Sequence, residues 1–357
     1  MKTYRHPKRV CSIPFVLLAG ICLTATSCVN NTSTEYRHTI FAFGTLIEIT
    51  LLGTTESKAN TAFDRLEAEF HDYHASWSPW EPGSDLSRIN ASIRAGNKAS
   101  APQQLISMIA ISKDLFEKSD GLFNPAIGNL INLWQMHRHD ESDIRPPDAA
   151  VIRRLVTQNP NMSDIHIDGT SVESRNPGVQ LSLGAFAKGY AIDLAMEYLQ
   201  SQGIENAVIN AGGDLRVIGQ HGGRPWRIGI RHPRKDGVIA WLDAEANESI
   251  FTSGDYERFY MHDGKRYHHI LDPRTGYPAT GSTSVTVIHH DAGIADAAAT
   301  ALFVAGPERW YEIARAMNIK YVMLIDTDLG IHMNPAMQKR VHLENSKTFH
   351  IVLSQPL

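Results

Sequence analysis

Apolar and polar positions alternate along the chain in segments that predict strands and helices in mixed order. Residues 38–52 (HTIFAFGTLIEITLL) are rich in β-branched and aromatic side chains, which indicates a strand pair or one strand bent around Gly44. Apolar residues recur at helical spacing over 56–73 and again over 103–119, so both segments are predicted to be amphipathic helices. This part of the chain therefore combines both element types.

The second half of the chain mixes strands and helices in the same way. The predicted helices are 185–202, 293–304 and 308–317, with a further short helix that begins at Pro147. The predicted strands are 207–210, 215–218, 226–230, 284–288 and 321–325. Because the elements interleave without regular βαβ spacing, the expected fold class is α+β, with mixed sheets and helices in a single large domain.

The N-terminus has the pattern of an export signal. Four basic residues within the first nine positions precede an almost uncharged apolar run over 13–23. That run is shorter than the about 20 apolar residues that a permanent membrane helix needs. It ends in Ala25-Thr26-Ser27-Cys28, which is similar to a bacterial lipobox and predicts lipidation of Cys28; an ordinary cleaved signal peptide is the alternative. The expected organisation is a lipoprotein signal peptide at 1–27, a polar tether at 28–37 and the domain at 38–357.

The cysteine positions and the net charge limit the kinds of site and partner that the protein is expected to have. Of the three cysteines, Cys11 and Cys22 lie in the segment expected to be removed, so the mature chain would keep Cys28 alone. Disulfides and catalysis by a cysteine nucleophile are therefore not expected. The formal net charge is −4 and the basic residues are scattered, which argues against a nucleic-acid partner.

Two loop segments are candidates for holding a flat ligand. Residues 77–90 contain two prolines and a glycine and carry Trp77 and Trp80, whose indole rings suit stacking on an aromatic ring system. The alternative is that both tryptophans pin the loop onto the core. Residues 121–134 begin with a turn rich in Gly and Pro that exposes backbone groups, and alone they read as a helix stop followed by another helix.

Residues 181–193 (LSLGAFAKGYAID) place a lysine in the first turn of a helix. The free N–H groups of a helix N-terminus and the charge of Lys188 together suit a pyrophosphate. A cation is unfavourable at this end of a helix, so Lys188 needs an anion or a nearby carboxylate. The segment lacks the spacing of a P-loop.

Two further segments carry groups for acid–base and metal chemistry. Asp263-Gly264 predicts a hairpin turn, and the strand that follows ends in His268-His269. A histidine there could act as a general base, although a surface histidine pair is the alternative. Asp296 and Thr300 lie at i and i+4 of a predicted helix and would offer Mg²⁺ two oxygen ligands; a helix-dipole partner and a backbone-bonded threonine form the alternative.

In this order, the segments resemble the ApbE family of magnesium-dependent FAD:protein FMN transferases, from Gly44 to about Gly306. The most specific matches are 184–191 (GAFAKGYA), 269–276 (HILDPRTG) and Ala295-Asp296 with Thr300. The resemblance implies an ApbE-like, T-fold-like domain that transfers the FMN half of FAD to a threonine or serine of an exported flavoprotein subunit, releasing AMP. Some family members instead hydrolyse FAD to FMN and AMP, and a non-catalytic FAD-binding lipoprotein is a third possibility.

The resemblance also implies roles for individual residues. Mg²⁺ would lie between the Ala185 carbonyl, the Asp296 carboxylate and the Thr300 hydroxyl. His269 is the candidate base for the acceptor hydroxyl, with Asp255 as a second choice. The residues expected to bind FAD, which is the substrate, are Phe43, Trp80, Leu122, Phe123, Asn124, Ser182, Lys188 and Ile270.

Three positions depart from the family pattern. Phe43 replaces the usual methionine before Gly-Thr, and Asn124 replaces an aspartate before proline. Ser182 replaces an aspartate and removes a carboxylate beside the expected flavin site. The expected partner is a flavoprotein subunit of a membrane redox complex, and the expected location is the periplasm-facing side of the bacterial cell envelope, where a lipid anchor holds the protein to the membrane.

Overall fold

A nine-stranded sheet forms the centre of the computed structural model, which describes residues 34–136, 145–344 and 349–357. The strands, in chain order, are β1 Glu35–Ala42, β2 Thr45–Leu52, β3 Ala99–Ser100, β4 Ile165–Asp168, β5 Ser171–Ser174, β6 Asn206–Ala211, β7 Asp214–Ile218, β8 Trp226–Arg231, β9 Val238–Ala244, β10 Glu248–Gly254, β11 Phe259–His262, β12 Lys265–His268, β13 Ser282–His289, β14 Tyr321–Asp326, β15 Ile331–Met333, β16 His342–Leu343 and β17 Ile351–Leu353. The helices are α1 Glu56–Trp77, α2 Asp85–Arg94, α3 Gln103–Lys118, α4 Gly128–Trp134, α5 Ala149–Thr157, α6 Ala187–Ser201, α7 Ala292–Ala316 and α8 Pro335–Gln338.

The large sheet runs in the order β1-β2-β6-β7-β10-β13-β14-β15-β17, and its neighbouring strands are antiparallel except for β15 and β17. Two three-stranded sheets (β16-β9-β8 and β3-β5-β4) and the hairpin β11-β12 complete the described part of the chain. The described residues form one compact unit. The expected α+β class and single large domain of mixed sheets and helices are thus confirmed.

The large sheet is covered on both faces in its middle, because successive side chains of a strand point to opposite sides. Along β14, Val322 and Leu324 pack into the core under the helices, whereas Met323 and Ile325 pack into a second core. The second core is closed by the small sheet that contains β8 and β9. Burial on both faces explains why β13 reads as a continuous apolar and hydroxyl run without alternation.

Most local predictions from the sequence are confirmed. Residues 35–52 form the antiparallel hairpin β1-β2, whose turn contains Gly44 at φ 73°. Asp263-Gly264 closes the hairpin β11-β12. The predicted helices over 293–304 and 308–317 form one element, α7, which is interrupted at Gly306 (φ 69°) ahead of Pro307.

Three predicted boundaries need correction. The short helix α5 begins at Ala149, not at Pro147, because the Asp148 carboxylate caps it by accepting the N–H groups of residues 150 and 151. Helix α6 begins at Ala187, two residues later than expected, so Ala185 precedes the helix. Strand β1 begins at Glu35, since the pairing of Glu35 with Leu52 extends the hairpin into the expected tether.

The expected signal segment and the lipidation residue Cys28 lie outside the described residues. Within residues 34–136, 145–344 and 349–357, no helix combines the length and the apolar composition needed to cross a membrane.

Candidate functional site

Helices α6 and α7 lie in close contact, and this contact brings two of the predicted segments together. Gly189 packs against the first turn of α7, where a Cβ on the glycine would come within 2.2 Å of the Ala292 carbonyl oxygen. The Gly189 N–H donates to Asp296 Oδ2 at 3.3 Å. The helix start that carries Lys188 therefore faces the helix that carries Asp296.

Lys188 has the carboxylate partner that its position requires. Its ammonium group pairs with Asp214 Oδ2, and the second oxygen, Oδ1, accepts the Thr252 N–H at 2.7 Å. Burial works to lower the pKa of Lys188, but the Asp214 and Asp296 carboxylates outweigh burial and raise it. Lys188 is thus a charged cation at the start of α6.

Asp214 is a site residue that the sequence reasoning missed. It is the first residue of β7 and follows a tight turn in which Gly212 and Gly213 adopt φ 67° and 102°. The signal available in the sequence was a carboxylate placed directly after a Gly-Gly turn between two strands. Nothing in its spacing pointed to Lys188, which lies 26 residues earlier.

Asp296 and Thr300 lie on one face of α7, as their i and i+4 spacing predicted. Thr300 Oγ1 is 3.3 Å from Ser253 Oγ of β10, and Asp296 is 7% exposed. Burial raises the pKa of Asp296 to about 7, with Lys188 acting in the opposite direction and Asp214 adding to the rise. The carboxylates of Asp214 and Asp296 share the single ammonium group of Lys188, so negative charge exceeds positive charge among these three side chains.

The donor set fits a magnesium ion. Carboxylate and hydroxyl oxygens are ligands that Mg²⁺ accepts, and a cation would balance the buried charge of Asp296. The family resemblance implies the Ala185 carbonyl as a third magnesium ligand, and Ala185 lies in the segment just ahead of α6. Within the described ranges, no group of three or more His, Cys, Asp or Glu side chains is arranged to hold a metal ion, so water and phosphate oxygens would complete the shell.

His269 is held in one tautomer by the backbone. The backbone N–H of His269 donates to the Arg258 carbonyl at 3.1 Å, and the ring nitrogen Nδ1 lies 3.2 Å from the same oxygen. Because a carbonyl can only accept, Nδ1 carries the hydrogen and Nε2 keeps its lone pair. Burial, with the positive charges of Arg258 and Lys188, holds the pKa of His269 well below its usual value. The ring is therefore neutral and its Nε2 can accept a proton.

Asp255, the second candidate base, is occupied by arginines. Both of its oxygens accept hydrogen bonds from Arg234 at 2.7 Å, and Arg266 lies 3.4 Å from Oδ1. Both oxygens of Asp255 are thus engaged in a bidentate pair within the fold, which a contact with an acceptor hydroxyl would have to displace. The geometry favours His269 over Asp255.

The two loop tryptophans have different environments. Trp77 is the last residue of α1, 4% exposed, and stacks on Tyr73 with ring centroids 4.4 Å apart. For Trp77 the alternative interpretation, that the tryptophan packs onto the core, is thus confirmed. Trp80 is half-buried in the loop after α1. Phe43 lies beside Trp77 at 6.2 Å, in the turn of the first hairpin.

The segment 121–134 packs against the turn 272–276, which joins two of the predicted motifs. Trp134 Nε1 donates to the Gly276 carbonyl at 2.8 Å. Between these segments lies a recess of about 210 Å³ that Asn124 and Arg274 help to line. The Asn124 side chain is engaged within the fold, donating to the Pro160 carbonyl and accepting the Ala126 N–H, both at 3.0 Å.

The other expected ligand-binding residues lie near this recess or near the helix start. Leu122 and Phe123 are buried, and the Phe123 N–H is already bonded to Ser119 Oγ at 3.1 Å. The Ser182 N–H donates to the Pro125 carbonyl at 2.8 Å, which ties the segment ahead of α6 to the same turn. Ile270 is buried next to His269.

A second missed residue, Asp193, fixes the position of α7. Its two oxygens accept the N–H groups of Ala292 and Gly293 at 2.9 Å, and Arg216 pairs with the same carboxylate. Burial and the nearby Asp291 raise the pKa of Asp193 to about 7, against the effect of Arg216. The helix that carries Asp296 is thus bound at its first turn by a side chain of α6.

Comparison with known proteins identifies the family. The model of the ApbE family matches residues 43–323. The FAD:protein FMN transferase of Rhodobacter capsulatus is 41% identical over 311 residues, which span 86% of this chain but 58% of that relative's own length. The enzyme of the same name from Vibrio cholerae is 34% identical over 283 residues, covering 78% of this chain and 83% of that relative.

A solved structure agrees with these matches. The ApbE protein of Thermotoga maritima superimposes on this fold with a TM-score of 0.79 and 30% identity, covering 86% of this chain and 99% of that protein. The family model extends over most of the domain, including the Lys188, Asp214, His269 and Asp296 positions. The chain belongs to the ApbE family.

Proposed function

We propose that the protein is an FAD:protein FMN transferase, which flavinylates a partner protein. It would move the FMN half of FAD onto a threonine or serine hydroxyl of that partner and release AMP. The names of its relatives support the transfer of FMN from FAD to a protein. The observation that carries it is the convergence of Lys188, Asp214, Asp296 and Thr300 between α6, α7, β7 and β10.

The phosphoryl step would use the neutral His269 as general base. Its Nε2 would take the proton of the acceptor hydroxyl as that oxygen forms a bond to the FMN phosphorus. The bond from this phosphorus to the bridging oxygen would break, and AMP would leave with the electron pair. The lowered pKa of His269 supports this role, because the ring is unprotonated before the reaction.

Asp296, Thr300 and the Ala185 carbonyl would hold a magnesium ion beside the pyrophosphate. When bound, the ion would polarise phosphate oxygens and offset the negative charge that develops as the bond breaks. Lys188 would bind the same phosphates from the start of α6. Because Asp214 already pairs with Lys188, the lysine is held in position before the substrate arrives.

The aromatic parts of FAD would contact the remaining expected residues. Trp80 and Phe43 offer ring faces near the end of α1, and the recess beside Asn124 could take one end of the molecule. Leu122, Phe123, Ser182 and Ile270 would contribute the walls between these groups. Ser182 in place of a carboxylate is expected to alter the affinity for the flavin rather than the phosphate chemistry.

We propose that the acceptor is an exported flavoprotein subunit of a membrane redox complex, and that a lipid on Cys28 holds the enzyme at the periplasmic side of the envelope. This location matches an exported acceptor. Expression of the full-length chain and of Cys28→Ala, followed by fractionation, tests the anchor. Wild-type protein should remain with membranes, whereas the variant should be released in soluble form.

The reaction is tested with the domain from residue 34 onward, FAD, Mg²⁺ and an acceptor domain that carries a threonine. Covalent flavin is read by in-gel fluorescence and AMP by chromatography. The expected result is a fluorescent acceptor and stoichiometric AMP, both abolished by EDTA. His269→Ala should lower the transfer rate by at least about a hundredfold, and a variant with the full rate would remove His269 from the mechanism.

Other outcomes identify the alternatives. AMP and free FMN without labelled acceptor would support an FAD pyrophosphatase that uses water in place of the hydroxyl. FAD that stays intact while bound would support a flavin-binding lipoprotein without catalysis.

A further inference from the structure

Arg258 lies at the edge of the site, in the loop between β10 and β11. Its carbonyl oxygen holds the backbone and ring of His269 at 3.1 and 3.2 Å. The backbone of Arg258 is therefore tied to the candidate base, and its side chain starts from a point next to His269. The reaction as proposed above assigns no role to its guanidinium group.

The other arginines of this region are engaged within the fold. Arg234 and Arg266 bind Asp255, and Arg231 lies over the Tyr256 ring at 5.3 Å. Arg258, by contrast, has no side-chain hydrogen bond or ion pair in the part of the chain that the structure describes, and its side chain is exposed. A cation that is exposed and unpaired beside a reaction site is available to a ligand.

The charge of Arg258 reaches the groups of the proposed reaction. It acts on the pKa values of Lys188, His269 and Asp296, so all three lie within electrostatic range of the guanidinium. Burial lowers the pKa of Arg258, while the Glu257 and Asp296 carboxylates act in the opposite direction, so Arg258 in turn lies within electrostatic range of Asp296. The one carboxylate next to it in sequence, Glu257, is exposed.

The pyrophosphate of FAD carries two negative charges, and the lysine at the site is already shared with Asp214. We propose that Arg258 is a second phosphate-binding residue, whose guanidinium binds a pyrophosphate oxygen of FAD beside Lys188. A guanidinium presents parallel N–H donors that match phosphate oxygens. The same residue would then position the base through its carbonyl and the substrate through its side chain. This inference rests on the proposed function for the identity of the ligand.

The test compares binding of FAD and of riboflavin, which has the same flavin ring but no phosphate. Dissociation constants are measured by flavin fluorescence in EDTA, so that FAD is not consumed. Arg258→Gln should weaken FAD binding by about tenfold to a hundredfold, the effect of one charge-assisted hydrogen bond. Riboflavin binding should stay within twofold of wild type. The FAD affinity of Arg258→Lys should lie between those of wild type and Arg258→Gln, because lysine keeps the charge but loses the paired N–H donors.

The matched control is Arg153→Gln. Arg153 is an exposed arginine on α5 without a side-chain partner among the described residues. Its replacement removes the same charge and should leave FAD affinity unchanged. Thermal unfolding of each variant verifies the fold, and Arg258→Lys serves if Arg258→Gln does not fold.

Two results would overturn the inference. FAD affinity of Arg258→Gln within twofold of wild type would show that the guanidinium does not bind phosphate. Equal losses for FAD and riboflavin would show a general change in the pocket. Failure of the proposed function is distinguishable, because wild-type protein would then bind FAD without transferring FMN, whatever Arg258 does.

Discussion

Gly189 lies so close to Ala292 that a Cβ on the glycine would stand 2.2 Å from the Ala292 carbonyl oxygen. The contact is between backbones, so no side-chain rotation can relieve it. It sets the separation of α6 and α7, and with it the approach of Lys188 to Asp296. The approach of the proposed phosphate-binding lysine to the proposed metal-binding aspartate therefore depends on one residue without a side chain.

Gly189→Ala should destabilise the fold and separate the two halves of the site. The expected loss is about 1–3 kcal/mol, the usual cost of forcing a methyl group into a packed contact. Urea unfolding measures the loss, and flavin transfer should fall with it. Gly184→Ala is the control for stability, because a Cβ there would meet nothing within 4 Å. Equal stability of the two variants would contradict the proposed packing role.

The Lys188–Asp214 pair allows stability to be separated from function. The two side chains are 22% and 11% exposed, so removal of one partner leaves a partly buried charge. Lys188→Met should cost about 2 kcal/mol, less than for a fully buried pair. The double variant Lys188→Met/Asp214→Asn should regain most of this stability without regaining transfer. If the double variant also recovered transfer, Lys188 would not be a phosphate ligand.

Magnesium should stabilise the protein through Asp296 and Thr300. A metal at a hundredfold excess over its dissociation constant raises the free energy of unfolding by about 3 kcal/mol, which thermal melting detects. Asp296→Asn should abolish this shift, and Thr300→Val should reduce it. Ser253→Ala removes a side chain that touches Thr300 but is not a proposed ligand, and it should retain the shift. A full shift in Asp296→Asn would place the metal elsewhere.

The magnesium effect should depend on pH, because the pKa of Asp296 is about 7 in the folded protein. Because the folded pKa of Asp296 is raised, its protonated carboxyl contributes stability to the metal-free fold in full when the pH is below the ordinary aspartate pKa. This contribution is lost as the pH rises through about 7. Mg²⁺ binds the deprotonated form, so its affinity should fall about tenfold for each pH unit below 7. Melting temperatures with and without Mg²⁺ between pH 5.5 and 8.5 measure both effects. A pH-independent magnesium shift would contradict the assignment.

Features determined by neighbouring residues could be read from the chain alone. The turn at Gly44, the hairpin at Asp263-Gly264 and the shared face of Asp296 and Thr300 each depend on residues no more than four positions apart. The helix at 56–73 was predicted in the same way, although the helix continues to Trp77. Ordered motifs of this kind were also sufficient to indicate the ApbE family, since each depends on residue type and local spacing.

Partners from distant parts of the chain could not be read in this way. Asp214 pairs with a lysine 26 residues away, and the Asp193 carboxylate binds the start of a helix about 100 residues later. Trp77 gave no local sign of whether it faced a ligand or the core, and its burial against Tyr73 was decided by the packing of α1. Asp255 was the second choice for the base, and its pairing with Arg234, 21 residues earlier in the chain, had no local signal.

The residue types, their order and their local spacing were sufficient for the α+β class and the family, and they supplied most of the residues proposed for the site. The tertiary structure alone decided which carboxylate pairs with Lys188, which tautomer His269 adopts and that Arg258 has no side-chain hydrogen bond or ion pair among the described residues. The physical reason is that charge compensation and burial depend on distances in space. Those distances are created only when α6, α7 and the large sheet pack together.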